Sequence, residues 1–380
     1  PASAGRCVVP HESEHRDMAD AETKTDEQAE QPQQTAPAQQ LPFQIPPLDM
    51  SWAKVPTERP PKPVIGEDGF TLRMADANSY GWVPDHWPYL NDTPRGSWPA
   101  DDMGLPAPYT IYDKFEVWAD NCADLYETAI KEQWKPATQI SWSTIEPLAE
   151  HIEASLDQIY SNISEQAYNS NQVLMGRLKD ISYGYHEVKL YLATQTFDHA
   201  RHVEACRKRA LSNNGGLGVQ TPGFFNRAVY AAFKFTEFVI YVNIIRTSFL
   251  LGLCEWGEKL ARSQADRQLF DLLASDLRRH LAYGTEHLKV YLNHSTSHRS
   301  HVKNWLDRGE VMMAADLRRD KPLREAMILA LGETVAEGKA KLGELRQSQL
   351  KLYAKALEAA TVYKREEHIV NALRSVIEQP

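Results

Sequence analysis

Residues 195–209 read QTFDHARHVEACRKR, and residues 275–289 read SDLRRHLAYGTEHLK. Each stretch sets an Asp four residues before a His, with an Arg immediately ahead of the His. In the first these are Asp198, Arg201 and His202; in the second they are Asp276, Arg279 and His280. Residues three or four apart share a helix face, so each stretch puts a carboxylate and an imidazole one turn apart on one side of a helix. Two such helices facing one core predict an all-α bundle with a polar centre.

The flanking sequence carries the same reading. Of 22 prolines, 17 precede residue 109, and only Pro222 interrupts residues 148–321. Helical periodicity dominates from about residue 113. The spacing predicts helices over 113–133, 145–171, 174–211, 223–258 and 265–293, with further helices over 298–317, 321–363 and 365–377. Ser143 and Thr144 are cap candidates for the second, with Pro147 in its first turn. Asn213-Asn214-Gly215-Gly216 ends the third, and Thr221 with Pro222 starts the fourth. Helices of this length with short connections make a bundle, not a solenoid.

Residues 1–50 are rich in Gln, Glu, Pro, Ala and Thr, too polar to offset the entropy of ordering, and read as a disordered tail. Residues 1–17 look like upstream or appended sequence. Residues 51–112 hold Trp52, Trp82, Trp87 and Trp98 among prolines, which forbids helix while demanding a surface for the aromatics to cover. They read as an extended arm. The domain reading is therefore a tail (1–50), an arm (51–112), a helical bundle (113–293) and C-terminal helices packed on it (294–380).

Composition narrows function. A formal charge of -9 gives no reason to expect nucleic acid as a partner. The four cysteines show no CxxC spacing and suit reduced thiols in the cytoplasm. No run of 18 apolar residues stands in the sequence, so no membrane span is expected. His294, His298 and His301 fall at i, i+4 and i+7, but Ser295-Thr296-Ser297 breaks the pattern and a solvated connector is the simpler reading. Arg207-Lys208-Arg209 suits a helix C-terminus.

The paired Asp-x-x-Arg-His stretches resemble those of the ferritin-like superfamily of di-iron carboxylate proteins. That resemblance implies six ligand positions: a lone Glu on two helices and Glu-x-x-His on two others. Carried over residue by residue, they fall on Glu165, His199, His202, Arg246, Leu277 and His280. Glu165, His202 and His280 match the pattern, whereas His199, Arg246 and Leu277 depart from it. A di-iron pair needs several carboxylates to balance its charge. Arginine remains a cation and leucine offers no lone pair, so no metal is expected at these vestigial positions. A buried Arg246–Glu165 ion pair is expected in its place.

The resemblance further implies a role. Bacterial multicomponent di-iron monooxygenases pair a catalytic hydroxylase subunit with a paralogue that lacks the ligands. This chain is similar to that second subunit: a non-catalytic scaffold with no cofactor of its own and iron in a paralogous partner. A reductase or coupling protein is a further expected partner, and a dimer or higher oligomer the expected assembly. Two alternatives stand beside it. One is a self-sufficient oxidoreductase with a mononuclear metal on Glu165, His199, His202 and His280. The other is a homo-oligomeric ferritin-like structural protein.

Overall fold

The computed structural model describes residues 65–89, 93–97 and 109–378. Internal contacts divide the chain after Glu58, and all described residues belong to the second unit, Arg59–Pro380. The tail, Trp52, Trp98 and much of the arm lie outside the described residues.

Ten helices of eight or more residues carry the fold among the described residues: α1 (Cys122–Lys131), α2 (Glu150–Leu178), α3 (His186–Ala210), α4 (Phe224–Ala231), α5 (Phe235–Glu255), α6 (Gln264–His294), α7 (His298–Arg319), α8 (Lys321–Leu331), α9 (Val335–Ala359) and α10 (Asn371–Glu378). No β-strand occurs among these residues, only isolated bridges such as Ile111 with Ile181. The all-α helical bundle expected from sequence is the architecture observed among these residues. Helices α2, α3, α5 and α6 form its centre, α8 lies on α2, and α9 lies along α5.

Boundaries differ from expectation where polar residues face inward. The second helix does not stop at 171: Asn169 and Ser170 are buried and accept hydrogen bonds from Arg246, so α2 runs on to Leu178. Its start moves to Glu150, because Thr144 instead accepts from the Ala265 N–H at the head of α6. The first helix shortens to Cys122–Lys131, preceded by a single 3-10 turn at Lys114–Glu116. The helix expected over 321–363 breaks at Gly332, and Thr334 caps α9 by accepting from Glu337 N–H.

The fourth expected helix is two pieces, separated at Ala232–Lys234. Within α5, residues Ile240–Arg246 form a π-helix, and Thr247 Oγ1 bonds back to the Val242 carbonyl five residues earlier. This helix is apolar and long enough to cross a membrane by length and composition, yet it is wholly buried inside the bundle.

The apolar core forms two clusters. One surrounds Tyr191, Leu192, Phe238, Tyr241 and Tyr283; the other surrounds Leu156, Ile159, Ala205, Phe270 and Leu277. Along α3 the first cluster ends at Leu192 and the second begins at Ala205. Along α6 they meet between Leu277 and Tyr283. Between them lies a buried polar band: Asp198, His199, Arg201, His202, Asp276, Arg279 and His280. Of the arm, Trp87 is buried and lies on Gly184, whereas Trp82 is exposed, so the expectation that Trp82 is covered fails within this chain.

Candidate functional site

Helices α3 and α6 run antiparallel, which lays the two Asp-x-x-Arg-His stretches side by side in opposite directions. The pairs therefore cross. His202 Nε2 meets Asp276 Oδ2 at 3.0 Å, and His280 Nε2 meets Asp198 Oδ2 at 3.0 Å. Arg201 bridges Asp198 and Asp276, and Arg279 does the same from the other helix. Trp134 adds a fourth donor, with Nε1 at 2.9 Å from Asp276 Oδ2. Two carboxylates and two guanidiniums balance inside the bundle, each charge hydrogen-bonded, as buried charges require. Burial alone would raise the Asp276 pKa, but the His202 hydrogen bond and the charges of Arg201 and Arg279 outweigh it and hold the carboxyl well below its usual range.

The three histidines converge. Ring centroids lie 4.9 Å apart for His199 and His280, 5.9 Å for His199 and His202, and 6.1 Å for His202 and His280. Burial, helped by the neighbouring His280, His202 and Arg246, pushes His199 far below the ordinary histidine range. Burial also lowers His280, against the opposing pull of Asp198. A neutral His280 that donates Nε2–H to a carboxylate leaves its Nδ1 as a lone pair, and that Nδ1 is buried without a partner. The Nδ1 of His199 is likewise buried and unpartnered, and its Nε2 makes only a long 3.5 Å contact with Gln195. A void of about 10 Å³ lined by His199, His202, Arg246 and Leu277 lies against this cluster, closed by Val242, Leu250 and Leu273. In this measure it has room for about one water or one ion.

The remaining ligand positions go elsewhere. Glu165 is half-buried and turns outward to accept from Thr221 N–H at 3.3 Å, Thr221 Oγ1 at 3.0 Å and Asn226 Nδ2 at 3.1 Å. Arg246 reaches back to α2 and α4, donating to the Gln166 carbonyl, Asn169 Oδ1, Ser170 Oγ and Asn226 Oδ1. The expected Arg246–Glu165 ion pair is thus corrected: Asn226 intervenes, and the charges meet through its amide. Leu277 is core. Sequence reasoning missed Asn226, Trp134 and the crossing of the Asp–His pairs. The repeated four-residue spacing marked the Asp and His residues themselves but not their crossing.

The donor set tests what the core can hold. A di-metal centre needing four carboxylates does not fit, because Glu165 points away and His199, Arg246 and Leu277 stand at the other three positions. One soft or borderline ion on imidazole does fit, since His199 and His280 each carry a buried, unpartnered Nδ1 on rings 4.9 Å apart, with the small void beside His199. Among the described residues, only Asp76, His186 and Glu187 bring three ligand atoms within 4.8 Å of one another, so the core rings stand wider. In that outer cluster the Arg95 guanidinium already pairs with Glu187 and lies 3.7 Å from Asp76, neutralising the acids.

No family profile matches the sequence, and no curated protein matches it. Solved structures do. Two of them are of an R2-like ligand-binding oxidase with an aerobically reconstituted Mn/Fe cofactor, one being a point mutant. Each is 17% identical; the TM-scores are 0.36 and 0.37, over 62% and 64% of this chain and 92% and 93% of theirs. The expectation that this chain has no cofactor, with iron only in a partner subunit, is corrected here. The matched oxidases carry a metal cofactor, and this chain presents orphaned imidazole nitrogens of its own.

Proposed function

We propose that this chain is an oxidoreductase of the ferritin-like kind that works with one transition-metal ion, held by His199 and His280 beside His202. The observation that carries this reading is the pair of buried, unpartnered Nδ1 atoms on rings 4.9 Å apart. A redox-active ion on imidazole supplies one-electron and dioxygen chemistry. The chain's own residues prepare the site. Asp198 fixes the His280 ring and holds the proton on Nε2, leaving Nδ1 basic, the arrangement that orients histidine ligands elsewhere. Leu250, Leu273, Leu277 and Val242 give the void beside His199 an apolar wall. Arg246 keeps a positive charge beside it and thereby favours a neutral His199.

The test is a metal titration of chelator-treated protein with Co(II), and separately with Fe(II) under anaerobic conditions. One ion per chain is expected, with loss of binding in His199→Ala and His280→Ala. Two ions per chain, or binding unchanged in both variants, would sink the proposal. Iron-loaded protein supplied with a reductant is then expected to consume dioxygen.

A second reading, that the chain works as a subunit beside a paralogous one, has separate support. Tyr168 and Met175 on α2, and Leu190 and Phe197 on α3, are exposed at i, i+7 spacing, which lines each pair along one stripe of its helix. Phe233 is 84% exposed between α4 and α5. Light scattering of the purified chain, alone and with a co-expressed paralogue, tests this reading; a monomer that captures no paralogue counts against it.

A further inference from the structure

A second cavity lies on the far side of Arg246, between α2, α4, α7, α8 and α9. Arg246 and Arg346 both line it, with Asn226, Asp316, Asp320 and Arg324. Arg246 is 2% exposed and Arg346 is 8% exposed. Neither makes an ion pair among the described residues. Arg246 is held by neutral oxygens, and its Nε is buried with no partner. Among the described residues Arg346 has one hydrogen bond, from Nη1 to Gln349 Oε1 at 2.9 Å.

Carboxylates are nearby, but apart from Asp320 Oδ2 their oxygens accept from other donors. Asp316 accepts from Phe224 N–H at 2.7 Å and Phe225 N–H at 3.0 Å, at the head of α4. Asp320 accepts from Leu323 N–H as the cap of α8. Glu165 is turned to Thr221 and Asn226. A buried guanidinium without a counterion is costly, and its planar fork suits bidentate contact with carboxylate or phosphate. The cavity is about 50 Å³. At about 10–15 Å³ per water in the same measure, that is room for roughly four waters, the size of a small oxyanion.

We propose that the cavity between Arg246 and Arg346 binds a small oxyanion, a carboxylate or phosphate group. The site stands independently of the metal reading, since none of its groups is a histidine of the core. Burial lowers both guanidiniums to about 10, which leaves them charged at neutral pH.

The experiment is a thermal-shift and calorimetric titration of full-length, chelator-treated protein with sodium acetate and sodium phosphate, against sodium chloride at equal ionic strength. A saturable rise in Tm is expected with at least one oxyanion and not with chloride; which of the two binds identifies the group. Arg346→Gln is expected to weaken binding at least tenfold. Asp320→Asn retains a capping oxygen but removes a negative charge from the cavity, so it is expected to tighten binding severalfold. The sign of this second variant decides the matter even if Arg346→Gln does not fold. No saturable response to either oxyanion, or an affinity indifferent to Asp320→Asn and a folded Arg346→Gln, would overturn the proposal.

Discussion

Arg246 and Glu165 are held apart by one amide: Asn226 donates from Nδ2 to Glu165 Oε1 at 3.1 Å, and its Oδ1 accepts from Arg246 Nη2 at 2.6 Å. The cation is buried and the anion is half-exposed, so they carry unequal weight. Asn226→Leu is expected to destabilise by about 3 kcal/mol, because it removes an acceptor from a buried guanidinium. Glu165→Gln is expected to change stability by less than about 1 kcal/mol, as for a partly solvated pair. Urea unfolding of both variants measures the difference, and equal costs would contradict the asymmetry.

The crossed pairs give a second expectation. Asp276 Oδ2 takes hydrogen bonds from Trp134, Arg201 and His202, and Oδ1 takes one from Arg279. An Asn there would turn an NH2 group toward donors whichever way it sat. Asp276→Asn is therefore expected to cost about 3–5 kcal/mol, the scale for breaking a buried ionic network. Asp198, with three donors, is expected to cost less. Denaturation followed by tryptophan fluorescence checks this; a neutral Asp276→Asn would show that the network is not needed for folding.

Stability should fall with acid through His287. This ring is fully buried between Thr236 Oγ1 at 2.9 Å and the Trp118 carbonyl at 3.0 Å, and burial lowers its pKa from 6.5 to about 4. A histidine harder to protonate when folded contributes stability that is full above pH 6.5. It is lost progressively as pH falls toward 4, because the unfolded chain takes up the proton first. The loss is about 3 kcal/mol on the linkage scale. His287→Gln is expected to flatten that part of the stability–pH curve, and an unchanged slope would count against it.

Helices α5 and α6 approach closely at Gly284, where an added Cβ would lie 2.7 Å from Asn243 Cβ and 3.3 Å from its backbone. Asn243 donates there to Gln195 and to the His280 carbonyl, directly behind the imidazole cluster. Gly284→Ala is expected to destabilise by about 1–3 kcal/mol through overpacking. It should also shift the His280 resonances in an NMR spectrum. An unperturbed His280 would mean the helices separate without disturbing the cluster.

The sequence exposed the parts of the site that recur. Asp198/His202 and Asp276/His280 were legible because the same spacing appears twice and helix geometry turns that spacing into a shared face. Their crossing was not legible, since it depends on which way α3 and α6 run. The continuation of α2 past residue 171 was not legible, because nothing in the sequence shows that Asn169 and Ser170 face the cation of Arg246. Asn226 lay on a short helix with no motif to anchor it, and Gly332 broke a helix whose periodicity looked continuous. Trp82 fitted an arm that covers its aromatics, and the chain leaves it exposed.

The wide turn at Ile240–Arg246 makes the orientation of α5 a matter of counting. Each residue of an ordinary helix turns by about 100°. A shortening of this turn by one residue would leave composition and hydropathy nearly untouched, yet rotate everything on one side of it against the other by about that angle. Arg246 would lose its seat among Gln166, Asn169, Ser170 and Asn226, or Asn243 would leave Gln195 and His280. Chain length at this one turn, more than the identity of any residue in it, keeps the cation of one cavity and the imidazoles of the other on their proper sides of the same helix.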